Sequence, residues 1–187
     1  MEKTYSRRRR DMAYQIKRWD NGKVIHEHGK TVKECLEHGI KNGVIFNHAS
    51  LNGASLNRAS LNDALLNRAS LNGASLNHAS LNHASLNHAS LYGASLYGAS
   101  LNHASLNGAL LYGASLNDAS GIYFSKFDMH IAYATSAGIL IGCKWHSVNH
   151  WLKNYKEIGR NSEYSEIQIE MYGAWIKIVA ENLKRQL

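Results

Sequence analysis

Residues 49–118, divided into quintets, read ASLNG ASLNR ASLND ALLNR ASLNG ASLNH ASLNH ASLNH ASLYG ASLYG ASLNH ASLNG ALLYG ASLND. Fifteen Ala recur at five-residue spacing from Ala49 to Ala119, and a Leu stands two places after each of the first fourteen. Leu65 and Leu110 replace Ser, Tyr92, Tyr97 and Tyr112 replace Asn, and the fifth position is open. A repeat this strict dictates architecture before any local propensity does.

Five residues of α-helix rotate the chain by about 500°, or about 140° net, which scatters Leu around the whole cylinder. A continuous strand alternates faces with period two, so an odd spacing sends successive Leu to opposite sides. A chain that turns once per quintet sends every Leu to one inside. Four turns close a square that climbs about 4.8 Å per coil. The inward Leu are then Leu51, Leu56, Leu61, Leu66, Leu71, Leu76, Leu81, Leu86, Leu91, Leu96, Leu101, Leu106, Leu111 and Leu116. Ala fills the small inward position because the square is too narrow for two large side chains per edge. Burying one Leu stabilises by roughly 1.5–3 kcal/mol, whereas ordering five residues costs about 5–10 kcal/mol. One quintet therefore cannot hold itself, and only the stack is stable.

The run closely resembles the pentapeptide-repeat family, whose motif is a small residue, Asp or Asn, Leu or Phe, a polar residue, then any residue. The resemblance covers residues 44 to about 124 and implies an all-β solenoid, the right-handed quadrilateral β-helix of that family. One departure stands out: Ser precedes the Leu here, and Asn follows it.

The 187 residues read as one solenoid with its two ends: 1–43 as a basic arm, hairpin and capping helix, 44–124 as the β-helix, and 125–187 as strands with a helical cap. Asn21-Gly22 marks a hairpin turn between β-favouring runs. Thr31 with Glu34 marks a helix start over Val32, Leu36 and Ile40. After Ser120 the register breaks at Gly121, and Gly121–Phe127 and His130–Ile141 read as two strands. A short helix is expected over Asn149–Ile158, and Ser165 with Gln168 opens a longer one. Its apolar stripe, Tyr172, Trp175, Ile176, Val179 and Leu183, is expected to cover the open end of the solenoid. The segment YQIKRWDNGKVIHE followed by a helix resembles the N-terminal cap of bacterial and phage members of the family, and the Gly142-Cys143-x-x-His146 segment followed by a helix resembles the tail of phage-encoded relatives.

Net charge is +7, unevenly spread. Residues 1–43 carry 11 basic and 6 acidic side chains, and residues 121–187 carry 8 and 6. The body between carries only Arg58, Arg68, Asp63 and Asp118. Two Cys give no disulfide framework, which suits a reducing compartment. The first residues lack the apolar core of a signal peptide, and no stretch is apolar enough to span a membrane. The expectation is a cytoplasmic protein, in the host cytoplasm if phage-encoded.

Residues twenty apart stack in columns on a four-sided coil. Gly93 and Gly113 then floor a face carrying Tyr92, Tyr112 and Leu110, with Tyr97 one face on, and this aromatic patch is a candidate protein-docking face. Asn columns such as Asn47, Asn67, Asn87 and Asn107 are expected to bond amide to amide along the stack. Cys143, His146 and His150 have the spacing of three zinc ligands, but no second Cys pair accompanies them, and no metal or other cofactor is assigned. Arg7, Arg8, Arg9 and Arg10 form a basic run that reads foremost as a solvated arm. No nucleophile–base pair, phosphate loop or paired carboxylate emerges, so the chain is not read as an enzyme.

The leading reading is a non-enzymatic protein-interaction module, a rigid rod whose face or caps engage a protein of unknown identity; a phage setting favours modulation of a host protein. A homo-oligomer through the caps is a further arrangement. Nucleic-acid or acidic-partner binding through the basic N-terminal region is an alternative, not the favoured one, and a purely structural element is another. The family resemblance also implies gyrase modulation by DNA mimicry. Mimicry needs about one negative charge per 1.7 Å of duplex, and the nearly uncharged body speaks against it.

Overall fold

The computed structural model describes residues 13–127 and 130–184. Its centre is a ladder of parallel bridges between residues twenty apart, from Ser50 with Ser70 to Ser100 with Ser120, one at every quintet. Twenty residues are four quintets, so each coil has four sides. Inside, Leu51 through Leu111 and the accompanying Ala are buried. Leu116 departs from the expectation: it lies in the last, incompletely covered coil and is only half-buried.

Inside the stack, each quintet's amides find acceptors at its own corner and in the coils before and after it. Around Asn87, Ser85 N–H donates to Ala64 O one coil back at 2.9 Å, while Leu86 and His88 N–H donate forward to Ser105 and Asn107 O at 2.8 Å. Ala89 N–H closes the corner on Leu86 O at 3.0 Å. The fifth amide, Asn87 N–H, is taken by the carboxamide oxygen of Asn67 at 3.0 Å, and Ser85 Oγ donates to that same oxygen at 2.7 Å. The Asn columns are thus chiefly amide-to-backbone ladders, not the amide-to-amide ladders expected. The reason is accounting: four amides already have carbonyl partners, and Asn Oδ1 supplies the missing acceptor. It also explains why Ser precedes the Leu and Asn follows it. Side-chain amide pairing does occur at Asn102 and Asn82, at 3.2 Å.

The hairpin β1 (Tyr14–Lys17) and β2 (Val24–His28) and the helix α1 (Val32–Lys41) pack against the first coil. Lys17 O accepts Ser50 N–H at 2.7 Å and the Glu37 carboxylate accepts Ser60 N–H at 2.7 Å, standing in for a preceding coil. Thr31 caps α1 through Glu34 N–H, but the Glu34 carboxylate accepts from Lys30 N–H, so only half of the expected capping box forms.

At the far end, β3 (Tyr123–Phe127), β4 (His130–Thr135), β5 (Gly138–Ile141) and β6 (Lys144–His146) form one antiparallel sheet in chain order. The expected single strand over His130–Ile141 is two strands, folded back at Ser136-Ala137. Helices α2 (Val148–Asn161) and α3 (Glu166–Lys184) follow. Alternation splits the sheet: Tyr133 and Leu140 join the coil core, while Ala132, Ala134, Ile139 and Ile141 join Trp151, Tyr172, Ile176 and Val179. The stripe of α3 therefore covers the sheet, not the solenoid end as expected. The period-two pattern of β4 and β5 gives the sheet two apolar faces, and it intervenes. Tyr133 hydroxyl donates toward Leu106 O at 2.9 Å and Ala109 O at 2.8 Å, closing part of the last coil.

Candidate functional site

Every corner of the coil places its fifth residue at positive φ. The value is +57° at Arg58, +58° at His88 and +62° at Gly53. With the Ala-to-Leu bond, this is the sign pattern of a type II turn. The fifth position is therefore not open: it is held in the left-handed region, where Gly has no penalty and branched residues are disfavoured. Its richness in Gly is the signal that could have revealed this.

On this frame the structure brings Tyr92, Tyr112, Leu110, Gly93 and Gly113 to one side. The rings of Tyr92 and Tyr112 stack at 5.5 Å between centroids with a 19° interplanar angle. Both are exposed, at 56% and 65%, and so is Leu110 at 62%. Gly113 sits directly over Gly93, whose backbone a Cβ there would meet at 3.7 Å. Tyr97 lies on the next side and is engaged otherwise. Its ring meets His78 edge-on at 5.3 Å, and its hydroxyl bonds to Asp118, which raises its pKa. Tyr92 and Tyr97 lack the Asn acceptor. The Tyr92 ring instead stacks on Tyr112 of the next coil, whereas the Tyr97 ring packs back on His78 and only its hydroxyl reaches the next coil, at Asp118.

Beside the Tyr pair a groove of about 760 Å³ opens between the last coil and the sheet, lined by Leu110, Tyr112, Phe124, Lys126, His130 and Leu140 among others. Sequence reasoning missed it, because it exists only where two unrelated segments meet. His130 is anchored there, its Nδ1 2.8 Å from Tyr172 Oη.

Other expected site residues do not converge. Cys143 is exposed, and His146 stacks on His150 at 4.3 Å. Burial first, then His150 and Lys144, push the His146 pKa down. Among the described residues no group of three His, Cys, Asp or Glu could hold a metal ion. Arg7 to Arg10 lie outside the described residues. A cluster not singled out in the sequence joins His26 and His28 of β2 to His38 of α1. His28 and His38 stack at 3.6 Å, and His26 Nε2 lies 2.9 Å from His38 Nδ1. The His-x-His spacing in β2, which puts both rings on one strand face, was its signal.

The model of a family described as pentapeptide repeats matches residues 45–82 and 89–120, in eight copies. A pentapeptide repeat protein of known structure from Nostoc PCC 7120 is 33% identical over 42% of this chain and 70% of its own, with a TM-score of 0.38. The chain belongs to the pentapeptide-repeat family. A second pentapeptide-repeat structure, Rfr23 from the cyanobacterium Cyanothece 51142, is 36% identical over 39% of this chain, at a TM-score of 0.39. The match spans half of Rfr23's own length. HetL from Nostoc sp. PCC 7120, described as involved in heterocyst differentiation regulation, is 35% identical over 40% of this chain and 39% of its own, at a TM-score of 0.24. No curated protein matches. Pentapeptide-repeat proteins are right-handed quadrilateral β-helices and generally non-enzymatic structural or interaction modules. No described helix is long and apolar enough to cross a membrane.

Proposed function

We propose that this pentapeptide-repeat protein is a non-enzymatic protein-interaction module. Its coil takes the family's right-handed sense, its two ends act as caps, and the side carrying Tyr92, Tyr112 and Leu110 docks a protein partner. One observation carries the reading: where the repeat rule supplies Asn and Ser, which bond along the coil, this side instead presents exposed rings and an exposed Leu. Exposed Tyr at the centre of an apolar patch is a common interface anchor. The resemblance of the two ends to phage-encoded relatives makes modulation of a host protein the favoured setting.

The test is capture from a host extract, compared between the wild type and a Tyr92→Ala/Tyr112→Ala variant of unchanged circular dichroism and Tm. Loss of the captured partner by about tenfold or more, little affected by salt, supports docking through this side. Capture that survives the double substitution, collapses between low and moderate salt and disappears on deleting residues 1–12 moves the activity to the basic arm.

A further inference from the structure

The ladder stops at the last coil, and one side of that coil is open. One coil lower on this side, Leu91 N–H donates to Leu110 O at 2.8 Å and Gly93 N–H donates to Tyr112 O at 2.9 Å. Leu111 and Gly113 carry the same two donors one coil higher, and among the described residues neither meets an acceptor. One coil lower the same side has a third bond, Leu110 N–H to Ala89 O; its counterpart acceptor, Ala109 O, is already taken by the Tyr133 hydroxyl, which also reaches Leu106 O. Where the next rung would run lies the groove already described. Leu111 and Ala114 line it from the coil, Phe124 and Leu140 from the sheet. Lys126 adds a positive charge, and no carboxylate lines it among the described residues.

We propose that this groove binds an extended segment of a protein partner, added to the coil as its next rung. The proposal rests on the docking reading above and names what docks. The coil's own rungs specify the chemistry. Two carbonyls of the segment, two residues apart, accept from Leu111 and Gly113 N–H. The residue between them points inward, as Leu111 does between residues 110 and 112, and must be aliphatic to meet Leu111 and Leu140. An acidic side chain nearby complements Lys126. This is strand addition to an exposed edge: main-chain bonds supply affinity and alternate side chains supply specificity.

The probe is a fluorescein-labelled acetyl-Glu-Ala-Ser-Leu-Asn-Gly-Glu-amide titrated with the full chain, with a control peptide carrying Asp in place of Leu. Saturable binding below about 1 mM, lost in the control and weakened about tenfold by Phe124→Asp and by Lys126→Glu, is expected. Amide exchange at Leu111 and Gly113 should slow about tenfold on binding. Lys41→Ala, exposed on α1 at the opposite end of the coil, should leave probe binding unchanged. The proposal is overturned by absence of binding up to that concentration, by equal binding of the control, or by binding that leaves those two amides unprotected. A second copy of the chain as the true occupant would show as a dimer whose formation protects the same amides without peptide, and would equally overturn it. Partner capture that needs Tyr92 while these amides stay unprotected sinks the rung and keeps the docking side; the converse result sinks the docking side and keeps the rung.

Discussion

Asn87 accepts Asn107 N–H at 3.0 Å and Ser105 Oγ at 2.6 Å, so its carboxamide holds two coils together. Asn87→Ala should destabilise by about 1–3 kcal/mol, the cost of leaving partners unsatisfied. Chemical denaturation measures this, and Asn87→Asp, which keeps an acceptor, should cost less. Conversely, Tyr97→Asn restores an acceptor beneath Asn117 and should leave stability unchanged or slightly raised despite the lost ring contact. Corner residues give a second comparison. A Cβ at Gly73 meets nothing within 4 Å, so Gly73→Ala isolates the positive φ of +64° and should cost about 1–2 kcal/mol. At Gly98 the same substitution also drives a Cβ to 2.6 Å from the His78 ring, and Tm should fall further. Equal effects at the two sites would refute this account of the fifth position.

Among the elements, the contact of β2 with α1 depends on three imidazoles. His38 has its pKa pushed below the ordinary value, first by burial, then by His28, His26 and Lys41. The unfolded chain therefore takes up the proton first as pH falls. The contribution to stability is full above the ordinary value of about 6.5 and is lost as pH falls through the lower folded value. Amide exchange in α1 should accelerate between neutral and mildly acidic pH, and His38→Gln should flatten that dependence. Acceleration of the same size in the variant would show that another group titrates. Glu37 makes the opposite end of α1's work visible: as the acceptor for Ser60 N–H it replaces a missing carbonyl. Glu37→Ala should weaken the junction by about 1–2 kcal/mol and Glu37→Gln by less, read from exchange at Ser60.

For the molecule as a whole, the sheet packs on the last coil through Tyr133 and Leu140. Burial pushes the Tyr133 phenol well above its usual range, and its hydroxyl serves Ala109 O, which a further coil would otherwise have paired, and Leu106 O at the corner. Tyr133→Phe should lower stability by about 1–3 kcal/mol with the fold intact. Removing everything after Ser120 should instead leave an unpaired parallel edge and produce concentration-dependent oligomers by light scattering. A truncated chain that stays monomeric would mean that the last coil protects itself.

The five-residue period by itself determined the inward Leu and Ala, and four quintets to a coil then set Tyr92 over Tyr112, because every rung obeys the same local rule and bonds a copy of itself twenty residues away. The helix starts at Thr31 and Ser165 were legible too, since each bond spans three residues. The fifth position's handedness and the Asn acceptor were implicit in composition but needed the traced backbone. Only the tertiary structure decided the rest: the fold-back at Ser136-Ala137, the sheet between coil and helices, the His26–His28–His38 stack, and the groove against Leu111. These join segments that do not repeat, and their partners are selected by long-range packing that no periodicity encodes.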